Sequence, residues 1–257
     1  GFAASALARI AAVRPEALGR LVALMSSDKD SVRRQVAEAL QTLPGTLPAS
    51  MLTPLVALLT PSPAAASFAT ELLRRVDAPP EIVMKAVLAA LPSMSAPANA
   101  DGILHELARR DPEALVATLA TAPEGAERLL FAQLGHVSVQ LANSAGRGPA
   151  LAWMIARLRA RPAGSKVEFA EIQAFRTLLG DRPDGPELLS GFVTGHDGPM
   201  RAVAVQLLGE MKSASGLIAA WMASPDANLR KQAFDLLAAS RRGLSPAEDQ
   251  ALLKALD

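Results

Sequence analysis

The chain contains no cysteine and no tyrosine. Without Cys it can form no disulfide, thiolate nucleophile or zinc–thiolate site. The aromatic residues are seven Phe and two Trp in 257 positions. Runs of alternating Val, Ile, Thr and Tyr, the signature of strands, are essentially missing. Charge of one sign is also missing: 26 basic residues face 25 acidic ones, a net charge of +1. Such a balance gives no global attraction to nucleic acid or to an acidic membrane. A long uncharged run does occur, from residue 39 to 70, but Pro44, Pro48, Pro54, Pro61 and Pro63 interrupt it and polar residues are scattered through it. It is not a membrane-spanning helix.

Half of the residues are apolar, chiefly Ala, Leu and Val. Ala and Leu favour helix and need no sheet to be buried. The fold class is therefore read as all-α. Basic residues are mostly Arg and Ala is abundant, the composition of a GC-rich bacterial genome.

One pattern recurs. After Ser224-Pro225-Asp226, Leu229 and Arg230 are followed by Ala233, Phe234, Leu236 and Leu237, an amphipathic stripe. Arg201 stands before Ala204, Val205, Leu207 and Leu208 in the same way, and Arg33 before Val36, Ala37, Ala39 and Leu40. Acidic residues precede each Arg: Asp28 and Asp30, Asp197, and Asp226. Weaker copies start at Ala66, Ala100 and Arg128. Successive starts lie roughly 30 residues apart, and a period of about 30–45 residues holding two helices marks an α-solenoid. Each stripe is preceded by another apolar helix, expected at 15–26, 48–60, 79–91, 111–121, 186–194 and 213–223. Several of these open at Pro, whose fixed φ and missing N–H suit the first helical turn.

Residues 135–165 fit the repeat least well. Asn143-Ser144-Ala145-Gly146-Arg147-Gly148-Pro149 reads as a break, followed by helices near 150–160 and 166–179. A longer inter-repeat loop is preferred there over a hinge or binding loop. Residues 3–12 read as a second helix lacking its first, and Pro246–Leu256 as a first helix lacking its second. One α-solenoid domain over 1–257, excised from a longer chain, is the expectation.

The Asp–apolar–Arg stripes resemble HEAT repeats, in particular the bacterial HEAT-like, armadillo-like repeats also found in phycobilin lyases. Three units carry the resemblance well: 28–40, 197–208 and 226–237. It implies a right-handed superhelix of about seven antiparallel helix pairs. It also implies that the turn Asp and second-helix Arg form a ladder between neighbouring repeats, here Asp28, Asp30, Arg33, Asp197, Arg201, Asp226 and Arg230. An acidic group at a helix N-terminus accepts backbone N–H bonds, and an Arg fork reaches two acceptors, so the assignment is physically sound.

Signals for chemistry are sparse. His105, His136 and His196 fall in different units, so no helix carries an i, i+4 metal pair, and each reads as a surface or packing residue. Gly146-Arg147-Gly148-Pro149 lacks the third Gly and the preceding strand of a dinucleotide loop. Ala163-Gly164-Ser165-Lys166 is a scrambled phosphate loop. No nucleophile elbow occurs. Glu168 and Glu171 share a helix face that is read as exposed. Catalytic residues, metal ligands and cofactors are expected to be none, and the chain is read as a non-enzyme of the cytoplasm.

Two surface features stand out. Between 147 and 182, Lys166 and six Arg face Glu168, Glu171 and Asp181. Arg147, Arg157, Arg159, Arg161 and Arg176 are the candidate binding residues. Arg157, Arg159 and Arg161 close a helix, so complementing its dipole is the preferred reading over a phosphate-binding ridge. The second feature is charge depletion over 39–70 and 86–100, which suits either a protein partner or tight inter-repeat packing. The expected function is a non-catalytic scaffold presenting a groove to a protein partner. The alternative is a nucleic-acid-binding HEAT-like protein using the basic segment 147–182, although Trp153 and Trp221 are isolated among apolar neighbours. Phycobilin lyase activity rests on the repeat resemblance alone.

Overall fold

The computed structural model describes residues 15–24, 27, 29–41, 45–60, 62–180, 182–195, 198–240 and 243–256. These residues are mostly helical, and the protein is all-α. It divides into two compact units, 1–140 and 141–257.

In the first unit the α-helices are α1 (Pro15–Leu24), α2 (Asp30–Gln41), α3 (Leu52–Ala57), α4 (Pro63–Leu73), α5 (Pro80–Ala90), α6 (Ala98–Arg110) and α7 (Pro112–Leu119). The next helix, α8 (Glu127–Leu141), runs to the boundary. Consecutive helices pair: α1 with α2, α3 with α4, α5 with α6. Like members also pack on one another, α1 on α3, α3 on α5 and α5 on α7 on one side, α2 on α4 and α4 on α6 on the other. The second unit holds α9 (Arg147–Ala160), α10 (Phe169–Leu179), α11 (Gly185–Gly195), α12 (Pro199–Glu210), α13 (Ser215–Met222), α14 (Ala227–Ala239) and α15 (Pro246–Leu256). Its pairs are α9 with α10, α11 with α12 and α13 with α14, and α12 packs on α14 as α13 does on α15.

The helix starts follow from local chemistry. Pro occupies the first turn of α4, α5, α7 and α12. Ser62 and Asp111 accept hydrogen bonds from the N–H groups of Ala65 and Ala114, at 3.2 and 3.1 Å, satisfying donors that have no intrahelical partner. Ser245 and Glu248 exchange reciprocal bonds before α15, 2.8 Å to the carboxylate and 3.3 Å to the hydroxyl. The expected helices at 15–26, 79–91, 111–121, 186–194 and 213–223 are present within a few residues. The one at 48–60 begins with a 3₁₀ turn, Ala49–Met51, before α3. The helix expected at 3–12 lies outside the described residues.

Among the described residues, strand is confined to one short bridge. β1 (Leu47–Pro48) pairs in parallel with β2 (Val76–Asp77), and Leu47 N–H donates to Arg75 O at 2.7 Å. Extended residues before a Pro and at a β-branched Val, in two connections that run side by side, account for this short bridge.

The core is Leu and Ala with few large rings. Phe131 and Phe175 are fully buried, as are Leu40, Leu55, Leu59 and Leu73. In α4, Ala65, Ala66 and Ala69 lie buried beside Leu72 and Leu73. Within the uncharged run 39–70, Ala39, Leu40, Leu47, Met51 and Leu55 are among the buried residues, while a similar number, among them Ala49, Ser50, Thr53 and Ala57, are exposed. Its buried Thr70 hydroxyl donates back to Ala66 O at 2.7 Å. No helix among the described residues is long and apolar enough to cross a membrane.

Candidate functional site

Of the seven residues expected to form the inter-repeat ladder, Asp28 and Asp197 lie outside the described residues, as do the side chains of Asp30 and Arg33. Arg201 is half-buried in the first turn of α12. Asp226 caps α14, its carboxylate accepting from Asn228 N–H at 2.8 Å. Arg230 donates from Nη1 to Ser224 O and Pro225 O, at 2.8 and 2.9 Å. Asp226 and Arg230 thus both bind the turn that opens their own helix.

Other residues connect corresponding segments of neighbouring helix pairs. Arg75 donates from Nε and Nη2 to Gly45 O, 30 residues back, at 3.0 and 2.8 Å. Asn99 reaches Ser67 across 32 residues, and Gln133 Nε2 donates to Asp101 Oδ1 at 2.6 Å, also across 32. In the second unit, Ser240 donates to Gly209 O at 2.6 Å across 31. These separations match the period read from the apolar stripes. Two of the acceptors, at Gly45 and Gly209, are backbone carbonyls, which carry no side-chain signature in the sequence.

The basic segment is bound mostly to the protein itself. Arg147, the first residue of α9, donates from Nε to Leu178 O and from Nη2 to Leu179 O, both at 2.6 Å. Its fork thereby takes carbonyls that the C-terminus of α10 leaves without helical partners. Gly180 follows with φ +51 and ψ −149. Arg161 makes a two-point ion pair with Glu171, at 2.9 and 2.6 Å, and Glu171 also accepts from Glu168 N–H at 2.9 Å in a capping box. Glu171, read from sequence as an exposed acid, is 4% exposed; the Arg161 fork and the capping bond are what permit its burial. Arg176 binds Gln173 at 3.0 Å and pairs with Glu210. The Arg157 guanidinium lies 5.7 Å from the Trp153 ring centroid, and that of Arg159 5.9 Å from Phe192. Arg182 forms a two-point pair with the exposed Asp184, at 2.9 and 2.5 Å. That hydrogen bond raises the Arg182 guanidinium and holds the Asp184 carboxyl below the usual carboxylate range.

Two clefts open between second helices of neighbouring pairs, and a third lies elsewhere. One, of about 540 Å³, lies between α10 and α12, with Leu179, Leu207 and Met211 at its apolar surface and Arg176, Arg182, Glu210 and Lys212 around it. In the first unit, Gln41, at the end of α2, faces Ser67, Phe68 and Glu71 of α4 and the following Arg75 around a cleft of about 470 Å³. A third, of about 580 Å³, lies among α13, α14 and α15, where Met222, Phe234, Ala247 and Ala251 meet Arg230 and Lys254. Each combines some apolar surface with a few charged or polar groups.

Two histidines expected to be independent are brought together: the His105 and His136 rings stand 4.6 Å apart, nearly perpendicular at 84°. His196 lies outside the described residues. Among the described residues no three His, Cys, Asp or Glu converge as a metal-binding group. Trp221 is buried in α13.

No protein-family model matches the chain, and neither does any curated protein or any solved structure.

Proposed function

We propose that the chain is a HEAT-like, right-handed α-solenoid that works as a non-catalytic scaffold, holding a protein partner in the groove along its second helices. The observation that carries the reading is the α10/α12 cleft, with apolar side chains between charged groups of both signs. The like-on-like packing of helices within each unit and side-chain bonds spanning 30–32 residues support stacked repeats, because in a solenoid each repeat touches its neighbours alone. The expected occupant is an extended or helical segment that inserts an apolar side chain beside Leu207 and Met211 and sets a carboxylate towards Lys212. A cytoplasmic location and independence of cofactors belong to the same proposal.

The candidate nucleic-acid residues weigh on the same side. A backbone-tracking groove needs cations free to replace counterions, whereas Arg147, Arg161 and Arg176 are committed to carbonyl, carboxylate and amide oxygens of the protein. The test is a peptide library selected on the full chain, with the selected peptides re-measured on Met211→Asp and Lys212→Glu variants, beside a titration with duplex DNA at low and high salt. Peptide binding weakened by both substitutions is expected. Peptide binding indifferent to both, or duplex binding that falls steeply with salt, overturns the reading.

A further inference from the structure

Two of the three histidines in the chain meet on adjacent turns of α6 and α8. His105 is half-buried and His136 exposed, so the pair is open to solvent on one side. Below them, one helical turn towards the N-terminus of each helix, Gln133 Nε2 donates to Asp101 Oδ1 at 2.6 Å. That bond fixes the register of the two helices and therefore the approach of the two rings. Residues at i and i+3 or i+4 share a helix face, so Asp101 and Gln133 lie on the faces that carry His105 and His136. Gln133 is fully buried, and among the described residues its Oε1 has no hydrogen-bond partner.

We propose that His105 and His136 form a two-imidazole clamp for a divalent transition-metal ion of the zinc, nickel and copper group, joining α6 to α8. Imidazole nitrogen suits these metals, whereas Mg²⁺ and Ca²⁺ take oxygen. The spacing fits. With a metal–nitrogen bond of about 2.1 Å and a ring centre about 1.1 Å behind the nitrogen, two imidazoles on one metal have centroids about 4.5 Å apart at a ligand angle of about 90° and about 5.2 Å apart at the tetrahedral angle. The observed separation is 4.6 Å. The charge environment favours a cation: the Asp101 carboxylate stands one turn from His105, while Glu106 is paired with Arg74 at 3.0 Å. Arg109, one turn beyond His105, is exposed and screened by water. No third His, Cys, Asp or Glu joins the pair among the described residues. The protein therefore supplies two donors and water fills the remaining positions, which makes the ion exchangeable and gives a cross-link between helices in place of a buried structural centre.

The experiment is calorimetric titration of the full chain with ZnCl₂ and, separately, NiCl₂ above neutral pH, where imidazoles compete best for metal. One equivalent is expected to bind with micromolar affinity. His105→Ala and His136→Ala are each expected to weaken it by about tenfold or more, and His196→Ala to leave it unchanged. Binding that survives both of the first two substitutions, or is lost in His196→Ala, overturns the proposal, as does no binding at all. Should the Ala variants fail to fold, Cu²⁺ added to the unaltered chain decides the matter by electron paramagnetic resonance. Hyperfine structure from two imidazole nitrogens is expected, and oxygen-only coordination overturns the clamp.

Discussion

A Cβ placed on Gly180 would lie 2.8 Å from Nη2 of Arg147. The glycine that ends α10 and the arginine that begins α9 are thus one device: the guanidinium reaches the carbonyls of Leu178 and Leu179 because residue 180 has no side chain. Gly180 also has φ +51 with ψ −149, a combination that L side chains rarely adopt. Gly180→Ala is expected to destabilise the second unit by about 2 kcal/mol through strain and displacement of Arg147. The midpoint of urea unfolding measures it. An Ala variant as stable as the parent would contradict the geometry.

Arg161 and Glu171 carry a different kind of stability. Removing the guanidinium leaves a carboxylate with 5% side-chain exposure without its charge partner. Arg161→Ala is expected to cost about 3 kcal/mol. Glu171→Gln in the Arg161→Ala background is expected to recover part of that loss, since no buried charge then remains. The sign of the recovery, read from thermal or urea denaturation of the double variant, separates an unpaired charge from lost packing.

Gln133 and Asp101 give an asymmetric pair of substitutions. Asp101→Ala leaves the buried amide of Gln133 without its acceptor and is expected to destabilise by about 2 kcal/mol. Gln133→Met removes the same hydrogen bond but also a buried carbonyl oxygen that has no partner among the described residues, and is expected to fall within about 1 kcal/mol of the parent. Equal losses for the two variants would place a partner on Oε1.

Asp184 provides the pH prediction. Its carboxyl is lowered, first by the hydrogen bond from Arg182. A folded-state value below the unfolded one means stability that is present above the unfolded value and lost as pH falls through the folded one. The window therefore opens below about pH 4, the ordinary Asp range. Because Asp184 is exposed, the effect on stability is small, and carboxyl NMR shifts are the better readout. Arg182→Gln is expected to return the Asp184 titration towards the ordinary range.

Helices were legible in the sequence wherever a start signal preceded an apolar stripe. Ser224-Pro225-Asp226 opens Ala227–Ala239, and Pro246–Leu256 is bounded as read. The break at 143–149 was legible in part. It holds a turn, but α9 already begins at Arg147, because Gly148 and Pro149 fall in a first turn, where neither needs to donate a helical bond. The contacts between helices were not legible. Arg147 binds backbone carbonyls, which carry no side-chain signature, and Glu171 is buried by an Arg whose direction the sequence does not give. His105 and His136 meet because two helices share a register, a property of stacking that no single helix records.

Among the described residues, the polar contacts that join one helix pair to the next span about one period each, from 30 residues at Arg75–Gly45 to 36 at Ser95–Leu59. The mechanical consequence is that no long staple appears among these contacts of the described residues. Load applied at the chain's termini is expected to peel it in instalments, each releasing about 100 Å of contour for some thirty residues. A force–extension trace would then show a row of modest teeth, and the bonds just described would set the height of each.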